Sequence, residues 1–264
     1  MKTAIRICAV AALLSAPLLA QAQGKAESDI AVSGNAGLFS DYRFRGFSQT
    51  GYSFAFQGGF DIAHKSGFYI GNWNSNVEQG LYNGASLEMD VYAGYKTTLG
   101  DLGFDVGYLY YYYPKSGSLG TTKVKNGEVY VGTSYGPLSA KFFYATTPFF
   151  SLGEPPTAGN ADTKGSWYLD LTGSFDLGSG WGLVAHYGYQ KIAKSDVLFR
   201  QGIVGENTDS IADYRVGITK DVGGWLFAAN YVGTDAKNYF KTAESGFTEG
   251  AGKGGLVLSV GKTF

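Results

Sequence analysis

From Leu87 to Tyr112 apolar and polar residues alternate with hardly a break, and a period of two excludes a helix before anything else is known. Leu87, Met89, Val91, Ala93 and Tyr95 share one face, and Glu88, Asp90, Tyr92, Gly94 and Lys96 share the other. Successive side chains of a strand point to opposite faces, so this stretch has one oily and one polar surface. Thr98-Leu99-Gly100-Asp101 reads as a tight turn. Alternation then resumes, with Leu102, Phe104, Val106, Tyr108, Tyr110 and Tyr112 opposed to Gly103, Asp105 and Gly107. The expected unit is a β-hairpin, and the rest of the chain repeats it.

The same pattern predicts twelve strands over residues 30–46, 52–64, 67–76, 84–97, 102–113, 126–135, 138–147, 165–176, 180–192, 212–220, 224–235 and 255–264. The connections alternate in length. Short turns rich in Gly, Pro, Asp and Ser fall at His64–Gly67, Thr98–Asp101, Gly136–Pro137, Leu177–Gly180 and Asp221–Gly224. Longer polar loops fall near 47–51, 77–83, 114–125, 148–164, 193–211 and 236–254. Both chain ends therefore lie on the short-turn side, the layout of an outer-membrane barrel. With 40 glycines and 16% aromatic residues the composition disfavours helices. The mature region contains no apolar run long enough for a spanning helix, so a membrane could be crossed only by a closed barrel.

The distribution of charge fixes the facing. With each strand's apolar register turned outward, Asp41, Arg43, Arg45, Asp61, Glu88, Asp90, Lys96, Asp105, Glu128, Lys141, Asp170, Asp213 and Arg215 all point inward. The opposite register would put these charges against lipid, at about 2–4 kcal/mol for each basic residue at the midplane. A soluble sandwich is compatible with the alternation alone. Aromatic placement favours the membrane. Tyr69, Phe104, Trp181 and Trp225 follow short turns, while Tyr42, Phe44, Tyr110–Tyr113, Tyr144, Tyr187 and Tyr189 precede long loops, as two interfacial belts would. The chain ends Leu256, Leu258, Val260, Lys262, Phe264 on one face. A terminal phenylalanine of this kind suits barrels handed to the outer-membrane assembly machinery, although an aromatic is commoner than Lys262 at its position. The expected fold is all-β, a transmembrane antiparallel up-and-down barrel of twelve strands, in contact with outer-membrane lipid and lipopolysaccharide.

Residues 1–22 read as a secretory signal: Lys2 and Arg6, an apolar Ile7–Leu19, then Ala20-Gln21-Ala22. The expected organisation is this leader followed by one barrel domain over 23–264, in the outer membrane of a Gram-negative bacterium. Cys8, the only cysteine, lies in the leader, so the exported chain has no thiol or disulfide. Without Lys2 and Arg6, 19 basic residues face 22 acidic ones, and nothing suggests a nucleic-acid partner.

Several blocks carry a family resemblance. They are Ser40-Asp41-Tyr42-Arg43-Phe44-Arg45-Gly46-Phe47-Ser48-Gln49-Thr50, Gly67-Phe68-Tyr69 with Trp73, Leu87-Glu88-Met89-Asp90, Tyr110-Tyr111-Tyr112-Tyr113-Pro114, Ser134-Tyr135-Gly136-Pro137 and Phe175-Asp176-Leu177-Gly178. Over essentially the whole mature chain the sequence resembles the TorF family of porins from proteobacteria. The resemblance implies an outer-membrane barrel and supplies no catalytic residues and no solute.

Candidate chemistry is confined to the lumen. Twelve strands spaced about 4.8 Å and tilted near 40° give a backbone radius of roughly 12 Å, leaving a bore of roughly 5–6 Å for small hydrophilic solutes. Arg43 and Arg45, near the outer end of the first strand, could form a basic constriction or pair with Asp90 or Asp170 across the lumen. Eight acids against five bases in the inward set lean a pore toward cations. Tyr111 and Tyr113 could stack solutes. Inward glycines at 59, 94, 103, 107, 132, 188 and 217 favour an open channel over a packed plug. His186 faces inward and His64 sits at a turn. Two separated histidines do not make a metal site, and no cofactor is expected. Gly132-Thr133-Ser134-Tyr135-Gly136 matches the Gly-x-Ser-x-Gly pattern of hydrolases, but a Gly-Pro turn into another strand follows instead of a helix, so no enzyme is expected. The first reading is thus a narrow porin-like pore for small polar solutes. The second is a plugged barrel making surface contacts through its long loops.

Overall fold

A computed structural model describes residues 28–117, 122–154, 161–240 and 250–264. In chain order its strands are β1 (Ile30–Phe39), β2 (Arg43–Phe44), β3 (Phe47–Ser48), β4 (Ala55–His64), β5 (Phe68–Asn76), β6 (Leu87–Leu99), β7 (Leu102–Tyr112), β8 (Lys125–Tyr135), β9 (Leu138–Ala145), β10 (Trp167–Gly178), β11 (Trp181–Lys191), β12 (Ser210–Val222), β13 (Trp225–Thr234) and β14 (Gly255–Thr263). One short helix, α1 (Ser195–Arg200), lies between β11 and β12. Twelve strands close a barrel, all antiparallel, while β2 and β3 pair only with each other. The expected leader, with Cys8, lies outside the described residues.

Tight reversals set the register at one end. At Gly223–Gly224, φ values of 61° and 83° give the left-handed backbone that a two-residue hairpin between Val222 and Trp225 requires. Closure joins β1 to β14 from Asn35↔Thr263 to Phe39↔Ser259. The Gly34 amide donates to the Phe264 carbonyl (2.7 Å) and the Phe264 amide to the Gly34 carbonyl (2.9 Å), so the terminal residue extends the seam.

The facing follows the alternation. Val32, Phe56, Phe60, Ile70, Val91, Val106, Val131, Leu171, Val216 and Leu256 are exposed on the outside, while Asp61, Glu88, Asp90, Glu128 and Asp213 are buried inside. In β5, where the pattern is weakest, Trp73 turns inward and Phe68 and Ile70 turn outward. Asn72 and Asn74 share that outer side, and their amides are satisfied within the sheet. Asn72 Nδ2 donates to the Asp90 carbonyl (2.9 Å), and Asn74 Nδ2 to Asn72 Oδ1 (2.6 Å). At the short-turn rim Lys220 Nζ lies 4.8 Å from the Trp181 ring and Lys262 Nζ 5.3 Å from the Trp225 ring, so both outward lysines are held against interfacial indoles.

Two expectations are corrected. Tyr69, Tyr42 and Phe44 do not belong to outer belts. Tyr69 and Tyr42 are buried inside, and Phe44 packs edge-on against the inward Tyr111. Nor do the inward glycines simply keep space open. Tyr69 is paired in register with Gly94, Tyr92 with Gly71 and Tyr130 with Gly107, and each phenol lies across the gap its glycine leaves. A Cβ at Gly107 would stand 2.6 Å from both the Tyr130 ring and the Ala93 carbonyl oxygen. Gly107→Val is therefore expected to cost roughly 1–3 kcal/mol by overpacking, read as a lower urea midpoint of the refolded barrel. An unchanged midpoint would show that Tyr130 moves aside freely.

Candidate functional site

The first strand stops at Phe39 and does not run to residue 46. Beyond it the chain turns into the barrel because Asp41 gathers the segment around itself. Its carboxylate accepts from Ser48 Oγ (2.7 Å) and Thr50 Oγ1 (3.0 Å) and pairs with Arg43. The Gln49 amide donates to the Tyr42 carbonyl (2.8 Å), which squares off the base of the β2–β3 hairpin. At the tip Arg45 and Gly46 have φ values of 47° and 84°, the primed two-residue turn. A side chain at Gly46 would also collide with Asp213 and Thr234, with Cβ contacts of 2.8 and 2.9 Å.

This hairpin crosses the lumen. Arg45 Nη2 donates to Glu128 Oε2 on β8 (2.7 Å) and Nη1 to Gln190 Oε1 on β11 (2.6 Å). Its guanidinium stands 4.2 Å from the Tyr168 ring centroid and 5.4 Å from that of Phe143. Strands β8–β11 lie on the wall opposite β1, so one arginine spans the bore and docks in an aromatic cradle. The expected partners Asp90 and Asp170 are not the ones found: Arg43 pairs with Asp41, and Arg45 with Glu128.

On the long-loop side, described loop residues pack over the hairpin. Phe47, Phe149, Ile192, Leu198 of α1, Val204 and Tyr239 form one buried cluster. Burial pushes the Tyr239 phenol up to about 12, and the hydroxyl is held 2.7 Å from Ser195 Oγ. Three further contacts tie the hairpin to the loop before β14. Arg43 Nη1 donates to the Lys253 carbonyl (2.8 Å), the Ser48 amide to the Ala251 carbonyl (2.8 Å), and the Tyr52 hydroxyl to the Gly250 carbonyl.

Beneath the hairpin a cavity of about 590 Å³ extends from Tyr42, Arg45 and Asp90 down to Asp176, Asp221 and Thr263 at the short-turn rim. Of the residues expected to line a pore, Asp41, Arg43, Arg45, Asp61, Asp90, Asp105, Lys141, Asp170, His186, Asp213 and Arg215 border this cavity. Glu88, Lys96 and Glu128 face inward without bordering it. Most are engaged with one another. Lys141 pairs with Asp105 (2.8 Å), and His186 bridges Asp213 (3.0 Å) and Asp170 (3.4 Å). Lys96 Nζ sits over the Tyr69 ring at 4.9 Å, and Asp61 accepts from the Tyr92 hydroxyl (2.7 Å). Tyr111 and Tyr113 face inward, with hydroxyls on Glu128 (3.2 Å) and Glu88 (2.9 Å). Ser134 lies two residues before the Gly136–Pro137 turn, which leads into β9, so the Gly-x-Ser-x-Gly string forms no nucleophile elbow. Among the described residues no cluster of His, Asp and Glu is arranged to hold a metal.

The sequence reading missed the lumenal aromatics Tyr42, Trp73, Tyr130, Phe143 and Tyr168. The available signal was the pairing of inward tyrosines with inward glycines on neighbouring strands.

Among solved structures, the NanC porin superposes with a TM-score of 0.52 at 8% identity, over 89% of this chain and 99% of that one. OprD from Pseudomonas aeruginosa gives 0.39 at 12% identity, over 88% of this chain and 65% of that one. At such identities the likeness to NanC is one of fold, a closed barrel of matching span. No curated protein matches the sequence. The family model described as "Bacterial protein of unknown function (Gcw_chp)" matches residues 23–264. The chain therefore belongs to the Gcw_chp family.

Proposed function

We propose that this protein is a porin-like channel of a Gram-negative outer membrane, passing small hydrophilic solutes or ions through a narrow, mixed-charge lumen. One observation carries the reading. Inside a barrel with an apolar exterior, a charged cavity runs from the hairpin to the short-turn rim, and an unused lumen would not need it. The resemblance to TorF-family porins and the fold shared with NanC support the same reading. In this reading the leader exports the chain, and the Phe264 strand is what the assembly machinery engages.

The hairpin favours a second reading, a plugged barrel acting through its outer loops. Planar-bilayer recording separates the two. Discrete steps in potassium chloride are expected, with a reversal potential of cation sign, because Asp61, Glu88 and Asp90 have no cationic partner among the described ion pairs. An anion preference would overturn the charge argument, and silence from a heat-modifiable, folded barrel would favour the plug.

A further inference from the structure

Asp90 stands apart from the other lumenal acids. It is buried, it borders the cavity, and its Oδ1 has no hydrogen-bond partner. The neighbouring charges that act on it are Glu88 and Glu128, both acids. Among the described residues Asp90 forms no ion pair, and Arg45, the cation paired with Glu128, is already committed to Glu128 and Gln190. A buried carboxylate without a counter-charge is costly, and a bound cation would remove that cost.

The surroundings specify what kind of cation. In register, Asp90 sits between Trp73 on β5 and Tyr111 on β7, both inward and both bordering the cavity. Tyr42 closes from the hairpin, its ring 5.3 Å from Trp73 and at 64° to it, and Tyr92 lies two residues further down β6. The next residue in the same row is Asn126, buried with neither side-chain polar atom partnered. Hydroxyls of Tyr42 and Tyr111 are held by Glu88 and Glu128, which fixes those rings in place. Three or four aromatic rings around one carboxylate form a cage for an alkylammonium group, whose diffuse charge loses little hydration on entering it.

We propose that the top of the lumenal cavity is a binding site for small organic cations, with Asp90 as the anionic floor and Trp73, Tyr42, Tyr111 and Tyr92 as the walls. The proposal rests on the channel reading for its access route, not for its chemistry. The test is equilibrium binding to the refolded full-length barrel in maltoside detergent, since phosphocholine detergents would supply the ligand group. Trp167, Trp181 and Trp225 are changed to Phe so that emission reports Trp73, and choline chloride is titrated against its neutral isostere 3,3-dimethyl-1-butanol. Choline is expected to give a saturable change, with the isostere and the Asp90→Asn variant each weaker by roughly tenfold or more. Asp221→Asn, at the short-turn rim of the same cavity, should leave the titration unaltered. Equal responses to choline and isostere, no response, or full binding by Asp90→Asn would each overturn the proposal. If Asp90→Asn fails to fold, the isostere comparison on the Asp90-bearing protein still decides. Because no current is measured, choline binding by a silent barrel would sink the channel reading and leave the site standing, and conductance without binding would do the reverse.

Discussion

Arg45→Ala should lower the stability of the refolded barrel by about 3–5 kcal/mol, the cost of leaving one member of a buried ion pair without the other. Glu128 has no exposed side-chain surface and Arg45 only 7%, and Glu128 Oε1 is already without a partner, so the remaining carboxylate would keep the neutral Tyr111 hydroxyl as a donor but have no counter-charge. The loss should show as a lower urea midpoint with an unchanged slope. The double variant Arg45→Ala/Glu128→Gln should recover much of it, because the uncompensated charge has gone. Additive losses would show that Arg45 acts through its packing on Tyr168 and Phe143 rather than through charge.

Excising the hairpin is expected to have the largest effect on conductance. The Gln49 amide already bonds the Tyr42 carbonyl, so residues 43–48 can be replaced by Asn-Gly, a two-residue turn that suits this base. The edited barrel should remain heat-modifiable and conduct several-fold more per channel than the parent, because the arm that crosses the bore is gone. An unchanged step size would mean that the outer loops, not the hairpin, set the resistance, and persistent silence would favour the plugged reading.

Why the barrel was legible and the plug was not follows from the range of the interactions. Facing is a local property. Each of Leu87–Lys96 declares its side through its neighbour, and a one-residue slip would have put Glu88 and Asp90 into lipid, so alternation gives the facing of the strands, and the alternating loop lengths and aromatic belts, also read locally, select the closed barrel. The segment from Ser40 to Gly46 also alternates, with Asp41, Arg43 and Arg45 at every second position, and reads as the end of the first strand. What bends it inward is the grip of Asp41 on Ser48 and Thr50 together with the cradle for Arg45 on β8–β11. The first is a side-chain turn hidden within a strand-like pattern, and the second lies far away in sequence. The inward glycines were misread for the same reason, since the tyrosine that fills each gap sits on another strand. In the site, the residue types were legible, but the pairing was not: alternation shows that Arg45 and Glu128 share the lumen, not that they meet.

Arg45 is separated from Glu128 by 83 residues and from Gln190 by 145, and Arg43 from Lys253 by 210. Loops of that size close late, so the hairpin cannot find its seat until the middle strands stand and the last strand arrives. The lumen is then emptiest during assembly and acquires its obstruction only as the seam closes. Any kinetic trap in folding should accordingly be a barrel already walled but not yet stoppered.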